Sequence, residues 1–313
     1  QSLECGTARR TSTGMHRLYW LPVSTPSAGY APRLDIPAIQ AALQQDGLDA
    51  WLLYDFHGQN LIAASLVGSD RPGASLGTRR WYYLIPASGT PRGLVHAIEP
   101  TALALVPGAV ERYAGRQQLR AGLARLLQDV RRVAMEYSPD GAIPYIGRVD
   151  AGTIEFIRSH GVEVVTSGDL VQRFSAVWTA GQLASHRRAS DALHVIKDRA
   201  FAMIADATRR GVPCTEWDVQ QTMCQWFAEA HLVSDSAPNV SVASNSGNPH
   251  YLPTAETHCP IERNQLILLD LWAKEDAADA VFADITWVGY TGMTPPGKIA
   301  AAFAAVAAAR DAA

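Results

Sequence analysis

Two aspartates within apolar segments are the residues of this sequence best suited to chemistry. Asp270 ends the segment LILLD, and Asp284 lies inside the segment VFADITW. If these segments pair as a hairpin centred on Ala277, the aspartates face each other, with Cβ atoms about 4.5–5.5 Å apart. Two carboxylates among apolar neighbours repel each other and lose hydration, and a cation between them relieves both effects. Because carboxylates bridge the two ions of binuclear hydrolytic centres, the pair predicts a metal site.

A histidine on the preceding loop could join this chemistry. His250 follows the turn SNSGNP and precedes both aspartate segments. At the end of a loop that faces a metal pair, a histidine can position a substrate carbonyl or move a proton. The alternative for all three residues is structural. In that case one aspartate caps a turn, the other is a solvated strand residue, and the histidine is a surface or core residue.

The elements that must hold these residues fall into two blocks. From about residue 35 to 178, apolar segments such as WYYLIP and GLVHAI alternate with helical patterns such as residues 115–128. Alternation of this kind predicts an α/β layer structure with a mixed sheet. A long helix follows from about Ala180 to Arg210, which places a domain boundary between Val177 and Leu183.

The second block has its own start and stop signals. Gly211 and Pro213 end the long helix. Thr215 with Asp218 resembles a capping box that opens a helix over residues 216–231. Two strands, QLILLDLW and VFADITW, follow a loop, and a helix closes the sequence. The aspartates therefore lie on neighbouring strands of the second block.

Composition limits the classes of function. The sequence has 313 residues, is 48% apolar and has a net charge of −3, which predicts a packed globular protein without a strong field for nucleic acid or an anionic membrane. No apolar run is long enough to span a membrane. The cysteines Cys5, Cys214, Cys224 and Cys259 form no CxxC pair and predict reduced, buried thiols in a cytoplasmic protein. The polar sequence of residues 1–14, which has no apolar segment, predicts a disordered extension.

The order of these parts resembles the pita-bread metallopeptidases, a family that includes Xaa-Pro aminopeptidases, Xaa-Pro dipeptidases (prolidases) and creatinase. The elements that carry the resemblance are NPHY at 248–251, LILLDLW at 266–272 and VFADITWVGYTG at 281–292. The segment MEYSPDGAIPYIGRVD at 135–150 resembles the creatinase-type N-terminal domain. The resemblance implies a creatinase-type mixed-sheet α/β domain over residues 15–178, followed by the first half of a pita-bread α+β catalytic domain over residues 179–313.

This resemblance also implies a role for each candidate residue. Asp270 and Asp284 match the family's first two metal ligands, and His250 matches a catalytic histidine that contacts substrate near the metals. Thr286 shares a strand face with Asp284 and is expected to orient that ligand from outside the metal shell. Trp287 stands where an arginine is common in the family, and we expect it to change the pocket wall.

One departure from the family concerns the remaining ligands. The family completes its site with a histidine and two glutamates after the second aspartate. This sequence contains neither residue type after Asp284. The resemblance therefore implies an inactive fragment of a longer protein, with an incomplete metal site.

For the parent protein, the resemblance implies a metal-dependent aminopeptidase or dipeptidase that hydrolyses Xaa-Pro bonds in proline-containing peptides. This enzyme would bind two divalent metal ions, with Mn²⁺ or Co²⁺ favoured and Zn²⁺ as a further option. Family members often form homodimers, so a homodimer is also expected. Two alternatives stay open: a creatinase-like hydrolase of C–N bonds that uses no metal, and a non-catalytic pita-bread module that binds peptides or partner proteins. No GxSxG or GxxxxGK[ST] string supports a serine hydrolase or a P-loop protein.

Overall fold

The computed structural model describes residues 34–70, 77–277 and 279–313. These residues form two compact units, one ending at Val177 and the other beginning at Trp178. The predicted N-terminal extension lies outside the described residues.

The first unit alternates helices and strands along the chain. Its elements are α1 (Ile36–Gln45), β1 (Ala50–Asp55), α2 (Leu61–Val67), β2 (Trp81–Pro86), β3 (Arg92–His96), β4 (Ala109–Tyr113), α3 (Arg116–Leu126), β5 (Arg132–Met135), α4 (Ala151–Arg158), β6 (Glu163–Thr166) and α5 (Gly168–Val171). Two 3₁₀ turns, Pro139–Gly141 and Pro144–Ile146, and a π-helical turn, Gln172–Ala176, complete the unit. The sequence pattern does not reveal β4, because four of its five residues are exposed and it has no apolar alternation.

A six-stranded sheet of mixed direction organises the described residues of the first unit. The strand order is β4-β3-β2-β1-β5-β6, and β1 is antiparallel to β2 but parallel to β5. Alternate residues of β1 enter two cores. Trp51 and Leu53 pack with α1 and α2 on one face, whereas Leu52 and Tyr54 pack with α3 and α4 on the other. The predicted α/β class with a mixed sheet is thus confirmed.

The second unit begins with two helices and continues as a sheet. Its elements are α6 (Ala180–Arg210), α7 (Glu216–Glu229), β7 (Leu232–Val233), β8 (Asn239–Val242), a 3₁₀ turn (Ala243–Gly247), β9 (Leu266–Glu275), β10 (Ala283–Tyr290) and α8 (Gly297–Ala312). The predicted capping box at the start of α7 is present. The Thr215 hydroxyl accepts a bond from the Asp218 N–H at 3.1 Å, and the Asp218 carboxylate accepts one from the Thr215 N–H at 3.0 Å.

Strand β9 is the centre of the second sheet. It pairs antiparallel with β10 on one side and with β7 and β8 on the other. Its odd-numbered residues, among them Leu269 and Leu271, pack against α6 and α7 in one apolar core. On the same face of β10, a Cβ at Gly289 would lie 2.6 Å from the Phe201 ring, so glycine permits the close approach of α6. The even-numbered residues of β9 therefore lie on the face that these helices leave open.

The cysteines follow the prediction only in part. Cys214 is buried and Cys224 is half-buried, and both are free thiols as expected. Cys259 is disulfide-bonded, so the prediction of a reduced thiol is wrong at this position. Cys5 lies outside the described residues. Among the residues that the structure describes, no helix combines the length and apolar character needed to cross a membrane.

Candidate functional site

The two aspartates share one face of the β9–β10 hairpin, but they are not directly opposed. Asp270 pairs with Thr286, and Asp284 pairs with Trp272. The predicted centre at Ala277 is therefore wrong, and the pairing is shifted by two residues. Such a shift preserves the face of each side chain, because side chains alternate with a period of two.

Strand β9 is also longer than the sequence predicts. The aspartate does not end its strand, since β9 continues to Glu275. The added length is held by β7, whose residues Leu232 and Val233 pair with Glu275 and Lys274. This long-range pairing extends β9 past its last pair with β10, Ala273 with Ala283, and the local sequence contains no sign of it.

Thr286 contacts a different aspartate from the one expected. Its hydroxyl donates a hydrogen bond to Oδ1 of Asp270 at 2.5 Å. The threonine thus orients Asp270 directly across the hairpin, and no hydrogen bond joins it to Asp284 among the described residues. The correction follows from the register, because a directly opposed residue is closer than the next residue but one on the same strand.

Asp284 has an unfavourable electrostatic position. Partial burial and the nearby charge of Asp270 raise the pKa of Asp284 above its ordinary value. Both causes follow from placing two carboxylates side by side among apolar neighbours. A positive charge on this face would therefore favour the ionised form of both groups.

Trp287 lies on the other face of β10 from the aspartates. Its ring lies 4.0 Å from Nζ of the buried Lys197 and makes an edge contact with His194, both on α6. The expectation that Trp287 changes the pocket wall is therefore wrong, because an odd-numbered position on β10 points towards α6. The contact is a cation–π interaction within the helix-covered side of the sheet.

His250 lies on the loop between β8 and β9. It is exposed, and its backbone N–H donates to Oδ1 of Asn248 at 3.1 Å. Among the described residues, no hydrogen bond links His250 to Asp270 or Asp284. The structure thus brings together Asp270, Asp284 and Thr286, and it places His250 on a separate exposed loop.

The loop that carries His250 is held by Glu216, a residue to which the sequence pattern assigns no role in the site. Glu216, the first residue of α7, is fully buried. Its carboxylate accepts bonds from the backbone N–H of Val242 and Cys259, both at 2.7 Å. It also accepts bonds from the Asn245 amide at 3.0 Å and from the Tyr251 hydroxyl at 2.5 Å. We call this arrangement the Glu216 clamp.

This clamp fixes both sides of the exposed histidine. Tyr251 follows His250 directly, and Asn245 precedes it in the 3₁₀ turn. Burial and the hydrogen bond to the Glu216 carboxylate raise the pKa of the Tyr251 hydroxyl. In the sequence, Glu216 suggests no more than an acidic group in the first turn of a helix. Its partners lie 26 to 43 residues further along the chain, beyond the reach of local patterns.

The open face fits a divalent cation in the type of its donors but not in their number. Asp270 and Asp284 supply the hard oxygen atoms that Mn²⁺ and Mg²⁺ prefer. On the neighbouring strand, Asn239 pairs with Asp270, and its buried amide oxygen has no hydrogen-bond partner among the residues described. Among the described residues, no three His, Cys, Asp or Glu side chains form a metal-binding group. The face can therefore contribute to a metal centre but does not fill two coordination shells.

Comparisons with known proteins bear on the family and the fold of the chain. The sequence model of metallopeptidase family M24 matches residues 186–313. No curated protein sequence matches the chain. Among solved structures, dipeptidase PepE from Mycobacterium ulcerans is similar, with a TM-score of 0.60, 18% identity, and coverage of 86% of this chain and 67% of that one.

Two further solved structures share the fold. The recombinant prolidase from Thermococcus sibiricus has a TM-score of 0.54 and 15% identity, with 86% of this chain and 68% of that one covered. The X-prolyl aminopeptidase from Caenorhabditis elegans, described as a cytosolic enzyme with a di-nuclear active site, has a TM-score of 0.54 and 17% identity, with 86% and 42% covered. The chain thus spans between about two fifths and two thirds of the length of these three proteins.

Proposed function

We propose that this chain is part of a metal-dependent peptidase that hydrolyses Xaa-Pro bonds, because residues 186–313 match the sequence model of metallopeptidase family M24. The family and fold class predicted from the sequence are confirmed by the family match and by the shared fold of the solved structures. The prolidase and X-prolyl aminopeptidase among them support a proline-containing peptide as the substrate. A cytoplasmic location is part of this proposal.

The observation that carries the proposal is the pair of carboxylates on one open face. Asp270 and Asp284 lie on adjacent strands, and burial together with the charge of Asp270 raises the pKa of Asp284. Two divalent ions, when bound in such a centre, supply a nucleophilic hydroxide at neutral pH. Within this chain, Asp270 and Asp284 would hold metal, Thr286 would orient Asp270, and His250 would contact the substrate.

We further propose that this chain alone does not bind two ions tightly and does not cleave Xaa-Pro peptides. Each ion needs about six oxygen or nitrogen ligands, and two carboxylates offer at most about four oxygen atoms. Metal analysis by mass spectrometry on the purified chain, with a Gly-Pro hydrolysis assay in added Mn²⁺, tests this statement. Two ions per chain together with turnover would show that other residues, such as His258, complete the site.

The metal-binding role of the aspartates can be tested separately. Binding of Mn²⁺, followed by electron paramagnetic resonance, should weaken strongly in Asp270→Asn and Asp284→Asn. The control is Asp311→Asn, which removes an exposed carboxylate from α8 in the same unit. Equal binding by all four proteins would contradict a metal site on this face.

A non-catalytic peptide-binding module is the second candidate function. Among the described residues, no three His, Cys, Asp or Glu side chains are grouped so that they could hold a metal ion. The reading frame beyond Ala313 in the source genome separates the two candidates. A histidine and two glutamates there would favour the peptidase, and their absence would favour the binding module.

A further inference from the structure

Strand β8 carries two buried polar side chains that lack hydrogen-bond partners within the part of the chain that the structure describes. Asn239 is 5% exposed and Ser241 is fully buried. The Asn239 amide oxygen and the Ser241 hydroxyl oxygen have no hydrogen-bond partner among residues 34–70, 77–277 and 279–313. Buried polar groups are normally hydrogen-bonded, so each exception calls for a physical explanation.

The register of the sheet separates the two residues. Asn239 pairs with Asp270, whereas Ser241 pairs with Leu268. Asn239 therefore has a carboxylate as its direct neighbour, and Ser241 has an apolar side chain. Only Asn239 lies beside a group that could share a ligand with it.

Asn239 also extends a row of polar side chains across three strands. Asn239 on β8, Asp270 on β9 and Thr286 on β10 occupy directly paired positions on one face of the sheet. Thr286 already donates its hydroxyl to Asp270. On the other side, the Asn239 amide oxygen and the Asp270 carboxylate are both acceptors, and among the described residues no donor is bonded to that amide oxygen.

We propose that the Asn239 side chain is a third oxygen ligand for one divalent cation held by Asp270. This inference rests on the proposed function, since it adds a residue to the same site. Directly paired residues have Cβ atoms about 4.5–5.5 Å apart, which allows an amide oxygen and a carboxylate to reach one ion. Asparagine carbonyl oxygens are ordinary ligands of hard cations. A neutral ligand also adds no repulsion to a face that already holds two carboxylates.

The test compares Asn239→Leu, which has nearly the same size but no polar atom, with Ser241→Ala. Binding of Mn²⁺ to the full chain is measured by electron paramagnetic resonance and by calorimetry. We expect the Kd of the first ion to rise about tenfold or more in Asn239→Leu, a loss typical of metal-site substitutions. Ser241→Ala should bind as the parent chain does. A parental Kd in Asn239→Leu would overturn the inference.

A second variant keeps the test decisive if Asn239→Leu does not fold. Asn239→Asp retains an oxygen at the same position and adds a charge, so it should bind Mn²⁺ more tightly than the parent at pH 7. An unchanged Kd in this variant would also overturn the inference.

Asp270→Asn distinguishes this inference from the proposed function. If Asp270→Asn weakens Mn²⁺ binding while Asn239→Leu does not, the inference fails and the proposed metal site stands. If neither substitution changes the Kd, or if the parent shows no saturable binding at millimolar Mn²⁺, both fail.

Discussion

The Glu216 clamp and the open aspartate pair place carboxylates in opposite environments within one unit. Glu216 is fully buried, and four protein donors surround it. Asp284 is exposed, Asp270 is half-buried, and Thr286 is the one hydroxyl bonded to this pair among the described residues. A carboxylate satisfied by the protein stabilises the fold. A pair left with few donors retains free oxygen atoms for a ligand.

The first unit contains a second carboxylate of the satisfied type. Glu136 is fully buried and accepts bonds from the Trp51 indole at 2.7 Å, the Asn60 amide at 2.8 Å and the Ser167 hydroxyl at 3.1 Å. Burial raises the pKa of Glu136, although these bonds act in the opposite direction. A structural carboxylate is therefore distinguished from a candidate ligand by its burial and by the number of hydrogen bonds it accepts, more than by its residue type.

The largest effect should come from Glu216→Ala. This change leaves two buried backbone N–H groups and two side-chain donors without their acceptor, so it should lower the free energy of unfolding by about 3 kcal/mol or more. Urea unfolding followed by circular dichroism measures it. Glu229→Ala, which removes an exposed carboxylate from the same helix, is the control and should change little. If Glu216→Ala had the same free energy of unfolding as the parent, Glu216 would not stabilise the fold, and the contrast with the aspartate pair would be wrong.

A smaller effect is expected from Tyr251→Phe. It removes one of the donors to Glu216 and leaves the others in place, so it should lower the free energy of unfolding by about 1 kcal/mol. The loop around His250 should also become more sensitive to limited proteolysis. Tyr145→Phe, at a tyrosine that is 79% exposed, provides the matched control. Proteolysis at the parental rate would mean that the clamp does not hold the loop.

The smallest effect should be a change in titration from Asp270→Asn. This change removes one of the two causes of the raised Asp284 pKa, so that pKa should fall towards its ordinary value while the effect of burial remains. A raised folded-state pKa gives stability that is present below the unfolded pKa and is lost as the pH rises through the folded pKa. The variant should therefore lose less stability over that interval than the parent.

Carbon-13 nuclear magnetic resonance of the aspartate carboxyl groups measures this titration directly. Asp311→Asn again serves as the control and should leave the titration of Asp284 unchanged. If Asp270→Asn also leaves the titration of Asp284 unchanged, the two carboxylates do not interact.

Local patterns in the sequence predict much of the frame that holds the site. The bounds of α6 match the prediction of Ala180 to Arg210, because an apolar stripe and a glycine–proline stop are both local signals. The shared face of Asp270 and Asp284 follows from the period of two, even though the predicted centre is wrong. The face of a side chain and the register of its strand are thus separate predictions. A register error of two residues leaves the predicted face correct.

Features that depend on distant partners could not be predicted in this way. The end of β9 is set by pairing with Leu232 and Val233, and the importance of Glu216 depends on loop atoms far along the chain. Asn239 has ordinary neighbours in sequence, and only its pairing with Asp270 makes it a candidate ligand. Each of these residues acquires its role from the tertiary structure.

The hairpin origin of Asp270 and Asp284 has a consequence for the order of folding. The bond between Thr286 and Asp270 closes a segment of 16 residues, whereas the bond from Cys259 to Glu216 closes one of 43. Short loops lose less chain entropy on closure, and hairpins form within about 1–10 μs. We therefore expect the two aspartates to come together early, while the loop that bears His250 is arranged only after α7 docks. A chain that refolds from the unfolded state would then present its paired carboxylates to cations before the histidine side of the site is arranged.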